Sequence, residues 1–121
     1  MTQRILVVED QDDNRRILRD LLTSAGFELI EATTGEEGVR SAETGRPDLI
    51  LMDIQMPVLD GYEATRRIKA NADLRHIPVI VVTSYALSGD DAKARAAGAD
   101  DYVTKPFSPR ELLAKIRQHL P

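Results

Sequence analysis

Asp53 closes a fully apolar run, Leu49-Ile50-Leu51-Met52, and Pro57, soon after, cannot extend a sheet ladder. A second run, Ile5-Leu6-Val7-Val8, also stops at acids, Glu9 and Asp10. A third, Val79-Ile80-Val81-Val82, ends in Thr83, and Asp101-Tyr102-Val103-Thr104 leads into Lys105-Pro106. Three carboxylates gathered within about 5 Å repel by roughly 3 kcal/mol per pair at an effective dielectric near 20, so a shared site needs a cation or raised pKa values. A divalent ion meets that need. Oxygen donors with no His or Cys nearby favour Mg²⁺ over zinc or copper, and Mg²⁺ pairs readily with phosphate oxygens. Lys105 adds a fixed positive charge and Thr83 a hydroxyl. Such a set could hold a phosphoryl group placed on, or attacked by, Asp53.

Taken singly, each of these acids reads equally well as a solvated loop residue, and Lys105 as a surface lysine. It is their joint placement at successive strand ends that carries the argument. A cis Lys105-Pro106 bond would fix the direction of the lysine, but only about 5% of such bonds are cis, so a trans bond is expected. Met52 and Met56 read as packing residues. His76 and His119 lie far from the acids in sequence and read as an exposed loop residue and an exposed helix-end residue. No GxGxxG follows a strand and no GxxxxGK occurs, so dinucleotide and P-loop chemistry lack support. Lys93, Arg95, Arg110, Lys115 and Arg117 make the last two helices basic, as a solvated face or a docking surface.

The elements that must position these residues alternate strictly. Asp12 or Asp13 is expected to cap a first helix whose apolar face is Ile17, Leu18, Leu21, Leu22 and Ala25, with Gly26 as its stop. Residues 27–32 read as a strand. Thr34-Gly35-Glu36-Glu37 has the capping-box pattern and opens a helix that ends at Gly45. Asp60, with Glu63 three residues later, caps a third helix running to about Asn71. Ser88 opens a fourth helix rich in alanine (Ala92, Ala94, Ala96, Ala97), which has little large apolar surface and is expected to be loosely held. Ser108-Pro109-Arg110-Glu111 starts the fifth, with Leu112, Leu113, Ile116 and Leu120 on its buried side. Strands buried on both faces belong to parallel sheets covered by helices. The expected architecture is therefore α/β: a doubly wound, five-stranded parallel sheet in the flavodoxin-like order 2-1-3-4-5, with ligand chemistry at the C-terminal edge of the strands.

Composition agrees with a single domain of 121 residues. The chain has no Cys, which fits a reducing, cytoplasmic compartment, and no apolar run of membrane-spanning length or signal-peptide pattern. A net charge of −4 argues against nucleic acid as a direct partner.

In this order and spacing, Ile5-Leu6-Val7-Val8-Glu9-Asp10, the stretch from Asp53 through Met56-Pro57 to Asp60-Gly61, Thr83-Ser84 and Lys105-Pro106-Phe107 resemble the CheY-like receiver domains of two-component signalling. The likeness extends over essentially the whole chain. It implies that Asp53 accepts a phosphoryl group from a phosphohistidine on a sensor histidine kinase or a histidine phosphotransfer protein. Glu9, Asp10, Asp53 and the backbone carbonyl of Gln55 would then bind Mg²⁺. Lys105 would contact the phosphoryl oxygens, Thr83 would move to hydrogen-bond one of them, and Tyr102 would swing into the space Thr83 vacates. That motion changes the face of helix 4, strand 5 and helix 5, which a downstream protein target reads and through which a homodimer linked to phosphorylation could form. Gln55 and Tyr85 flank the path of a hydrolytic water, and Ser84 is small enough to leave the site accessible. Leu59 stands where the family often has Met. The protein would be a signalling receiver that catalyses only its own phosphorylation and dephosphorylation.

Two other classes compete. A haloacid-dehalogenase-like phosphohydrolase also uses an Asp nucleophile with Mg²⁺, but it wants a second acid two residues on, where this chain has Gln55. An interaction module would work without phosphorylation. The fifth helix ends at Leu120-Pro121, as expected of a single-domain regulator over residues 1–121, although a receiver cut from a hybrid kinase would read the same.

Overall fold

The computed structural model describes residues 2–54, 56, 59–83 and 90–120, the last segment without the side chains of 90 and 91. Strands and helices alternate through it: β1 (Arg4–Val8), α1 (Asp12–Ser24), β2 (Glu28–Ala32), α2 (Gly35–Gly45), β3 (Leu49–Asp53), α3 (Gly61–Ala70), β4 (Val79–Thr83), α4 (Asp90–Ala96), β5 (Asp101–Thr104) and α5 (Pro109–His119). The strands pair in parallel in the order β2-β1-β3-β4-β5, as the sequence predicts.

Apolar runs without polar alternation make sense because the central strands feed two cores. From β1, β3 and β4, Leu6, Val8, Ile50, Met52, Val79 and Val81 meet Ala42 of α2 and Ala64 and Ile68 of α3. The alternate residues Ile5, Val7, Leu49, Leu51 and Ile80 meet Leu18 and Leu22 of α1 and Leu112 and Ile116 of α5. Each such large side chain contributes about 1.5–3 kcal/mol by leaving water. Met52 and Met56 are both packing residues within the first core.

Caps set where three helices start. Asp60 accepts the N–H of Glu63 at 2.9 Å, and Ser108 accepts that of Glu111 at 3.0 Å. Thr34 accepts the N–H of Glu37 at 3.0 Å, while the Glu37 carboxylate reaches back to the N–H of Thr33. Such a cap is worth about 1 kcal/mol. The caps at Asp60 and Ser108 also end the two loops that follow Asp53 and Lys105.

Helix α1 departs from expectation at two points. Its cap position is Gln11, without a side-chain cap bond, and Asp12 and Asp13 lie inside the first turn. The chain has to turn immediately after Asp10, and Asp12 is taken up by an ion pair with Arg15. Ile17 is 59% exposed, because the helix presents Leu18 and Leu22, one turn apart, to the sheet. Gly26 does stop the helix, with a left-handed φ of 93°. At the end of α2 the left-handed residue is Arg46 (φ 45°), whose guanidinium bonds the carbonyls of Glu43 and Asp73. Gly45 is the last residue of that helix, and a Cβ there would meet the end of the Ile30 side chain.

Ala94 and Ala97 bring only small buried surface to the α4 region, as expected of an alanine-rich helix. Its expected opening at Ser88 lies outside the described residues.

Candidate functional site

Four parallel strands end at one rim, and their last residues come together there. Glu9 follows β1 and is 2% exposed, Asp53 ends β3 at 5%, and Thr83 ends β4 at 1%. Lys105, one residue past β5, places its Nζ 3.2 Å from Glu9 Oε1 and 3.4 Å from Asp53 Oδ1. Its backbone N–H donates to the Thr83 carbonyl at 2.7 Å, tying the lysine to the neighbouring strand, and its bond to Pro106 is cis, not trans as expected. Glu9, Asp10 and Asp53 each bring a carboxylate oxygen within 4.8 Å of the others.

This rim is short of positive charge. Burial pushes the Glu9 carboxyl above its ordinary range, the adjacent Asp53 adds to that, and Lys105 only partly offsets it. Asp10 is raised too, by burial first and by Glu9 second. Its Oδ1 is buried with no hydrogen-bond partner. A buried acceptor left unsatisfied costs about 1–3 kcal/mol, and a cation bound among these oxygens would remove both that cost and the repulsion. The donor set is all oxygen and fits a hard divalent ion.

The sequence matches the family described as "Response regulator receiver domain" over residues 5–117. This chain belongs to that family. Among curated relatives, the polar-differentiation response regulator DivK of Brucella ovis is 41% identical over 120 residues, 99% of this chain and 98% of that one. The receiver domain of sensor histidine kinase PA1611 from Pseudomonas aeruginosa, solved with magnesium coordinated in its active-site cleft, is 42% identical. It superimposes with a TM-score of 0.91, covering 98% of this chain and 97% of that chain. Chemotaxis protein CheY4 of Vibrio cholerae, at 28% identity, gives a TM-score of 0.93 over 99% of this chain and 100% of that chain. The receiver is thus a two-component signalling domain with the CheY-like fold.

Of the residues singled out from the receiver's sequence, Glu9, Asp10, Asp53, Thr83 and Lys105 converge as expected. Tyr102 is half-buried on β5 against the first core, with Lys115 Nζ 5.7 Å from its ring centre. Gln55, Ser84 and Tyr85 lie outside the described residues. His76 is exposed, as read. His119 is not a plain exposed helix end: its Nε2 lies 3.0 Å from Asp101 Oδ2, and Lys115 Nζ lies 3.0 Å from the other Asp101 oxygen. Both pairings join residues distant in sequence, so periodicity could not reveal them.

Three supports of the rim carried little sequence signal. Arg15 donates through Nη1 to the Glu9 carbonyl at 3.0 Å, and the N–H of Gln11 reaches Glu9 Oε2 at 3.3 Å. Arg15 reads only as one more charge on α1. Gly61 packs against the backbone under Asp53, where any Cβ would collide with the Asp53 carbonyl oxygen. A glycine directly after a helix cap is a weak hint of such close approach.

Proposed function

We propose that Asp53 is the phospho-acceptor of this receiver and that the rim acids hold Mg²⁺. The observation supporting this reading most strongly is the single lysine shared by two buried carboxylates, Lys105 to Glu9 at 3.2 Å and to Asp53 at 3.4 Å, beside a third acid. In the reaction, a carboxylate oxygen of Asp53 attacks the phosphorus of a phosphohistidine on a sensor kinase or phosphotransfer protein. The P–N bond breaks, its electron pair returns to the imidazole, and an acyl phosphate forms. Glu9, Asp10, Asp53 and the backbone carbonyl of Gln55 would hold Mg²⁺, which would supply positive charge against the phosphoryl oxygens. Lys105 and the backbone N–H of Ser84 stabilise the same oxygens in the transition state. An open groove of about 450 Å³ beside Lys105, with Ile17 and Phe107 on its walls, gives the donor room to approach.

The new group adds about −1.5 to −2 charges and three acceptors at the rim. Lys105 and Thr83 turn toward it, and Tyr102 follows into the space Thr83 leaves, reshaping the α4-β5-α5 face for a downstream protein or a second copy of the chain. A complete switch from 1:99 to 99:1 draws about 5.5 kcal/mol of differential interaction from these contacts. Gln55, Ser84 and Tyr85 set how easily water reaches the acyl phosphate, and Tyr85→Ala shortens its lifetime. The receiver acts as one domain in the cytoplasm. Among the described residues no helix is long and apolar enough to cross a membrane.

Incubation with Mg²⁺ and acetyl phosphate, followed by intact-mass measurement, tests the assignment. One phosphate-sized gain that needs Mg²⁺ and disappears in Asp53→Asn is expected. Continuous phosphate release without an adduct would favour a hydrolase. An unchanged partner affinity in Asp53→Asn, together with no adduct, would favour a phosphorylation-independent interaction module.

A further inference from the structure

Arg15 stands in the first turn of α1, yet its guanidinium reaches back to the backbone that carries the rim acids. The side chain is only 14% exposed and meets acceptors on three segments. Nη1 donates to the Glu9 carbonyl after β1 at 3.0 Å, Nη2 pairs with Asp12 at the start of α1, and Nε lies 3.4 Å from Glu31 Oε1 on β2. We infer that Arg15 is a positioning residue for phosphoryl transfer: by fixing the peptide between Glu9 and Asp10, it holds the Asp10 carboxylate in place as a ligand for Mg²⁺. The inference rests on the reading of the rim as a Mg²⁺-dependent phospho-acceptor site.

The two acids that follow β1 are held differently. The Glu9 N–H donates to the Ala32 carbonyl of β2 at 3.0 Å, and its carboxylate oxygens meet Lys105 Nζ at 3.2 Å and the Gln11 N–H at 3.3 Å. Glu9 is therefore fixed through its own side chain. Asp10 is held less completely, because its Oδ1 is buried without a hydrogen-bond partner to orient it. Its direction depends on the backbone. The Glu9 carbonyl and the Asp10 N–H belong to one planar peptide, so a donor that fixes the carbonyl also fixes the direction in which the Asp10 Cα leaves it. Arg15 is that donor.

The fork of a guanidinium suits this task, since its planar set of N–H groups can serve several acceptors at once where a lysine presents a point charge. Its anchor on β2 is itself fixed. Arg19 donates to both Glu31 oxygens, at 2.9 and 2.8 Å, and so shares that carboxylate with Arg15 from one turn further along α1. As a charge, Arg15 opposes a cation at the rim, because like charges repel. As a donor, it favours one. The two roles predict opposite signs for the effect of removing it.

Mg²⁺ titrations of the full chain, followed through the backbone amide NMR signals of the rim, test the inference, with phosphorylation by acetyl phosphate measured on the same proteins. Arg15→Gln should weaken Mg²⁺ binding by about tenfold, at the low end of what outer partners of metal ligands contribute. Its phosphorylation rate at saturating Mg²⁺ should match that of the wild type, because Asp53 and Lys105 are untouched. Arg15→Lys, which keeps the charge but not the fork, should also weaken Mg²⁺ binding, by less. Arg19→Gln loosens the same pairing of α1 with β2 and should leave Mg²⁺ affinity unchanged. Mg²⁺ binding as tight as wild type or tighter in Arg15→Gln, or in Arg15→Lys should the first variant not fold, would overturn the inference. An equal loss in Arg19→Gln would overturn it too, since the effect would then belong to the packing of α1. A wild type that binds no Mg²⁺ would instead overturn the reading of the rim, and the role of Arg15 with it.

Discussion

The two ends of the parallel sheet treat carboxylates in opposite ways. At the rim, Glu9, Asp10 and Asp53 share one lysine, and Glu9 and Asp10 have raised pKa values. At the far edge, Asp101 alone has both Lys115 and His119, and its pKa is lowered. Asp100 nearby has Lys69 at 2.8 Å and also accepts the N–H of Val79. The far edge closes its charge balance within the chain and so stabilises the fold. The rim leaves a balance that a cation, and later a phosphoryl group, can alter. Sites that act are drawn from places where the fold has left electrostatic free energy unrelieved.

Removing Lys105 is the largest perturbation of this contrast. Breaking a buried ion pair from one side costs about 3–5 kcal/mol, and the partial exposure of Lys105 reduces that to about 2 kcal/mol. Lys105→Met should lose that much stability in urea melts without metal and recover part of it in Mg²⁺. No recovery would mean that the rim acids do not bind the ion. At the far edge, Asp101→Asn should cost about 1 kcal/mol, the worth of hydrogen bonds to charged groups that remain partly exposed, and Mg²⁺ should not restore it.

The smallest effect has the opposite sign. Asp10→Asn removes one of three repelling charges, so the metal-free protein should gain up to about 1 kcal/mol while its Mg²⁺ affinity falls. Melts as a function of pH separate the two ends further. Acids with raised folded pKa values hold protons more tightly in the folded state, so the rim's contribution grows as pH falls through those values and is lost as pH rises through them. Asp101, with a lowered pKa, contributes above its unfolded value, and that contribution is lost as pH falls through the folded one. Asp10→Asn should therefore flatten the gain just above the ordinary carboxylate range, and Asp101→Asn the loss below it. The same slopes in both variants would erase the distinction between the ends.

Much of this was legible in the chain. Runs such as Leu49–Met52 announced strands buried on both faces, and Thr34, Asp60 and Ser108 announced their helix starts, because caps and apolar runs are local. Helix α1 shows where local reading stopped. Ile17 fits the helical apolar spacing as well as Leu18 does, and only the direction from which the sheet approaches decides which of the two is covered. Gln11 displaced Asp12 as the cap because the tight turn after Asp10 and the pairing of Asp12 with Arg15 are features of the assembled rim.

The sequence by itself determined the order of elements, the doubly wound class and the five residues brought to the rim, since strand ends are written locally and parallel strands must finish on one edge. Tertiary structure alone decided which charges are balanced. Lys105 serves Glu9 and Asp53 across separations of 96 and 52 residues, and Asp101 gathers Lys115 and His119 from a helix that packs back over β5. Electrostatic free energy depends on distance and burial in three dimensions, and neither is encoded in the spacing of residues along the chain.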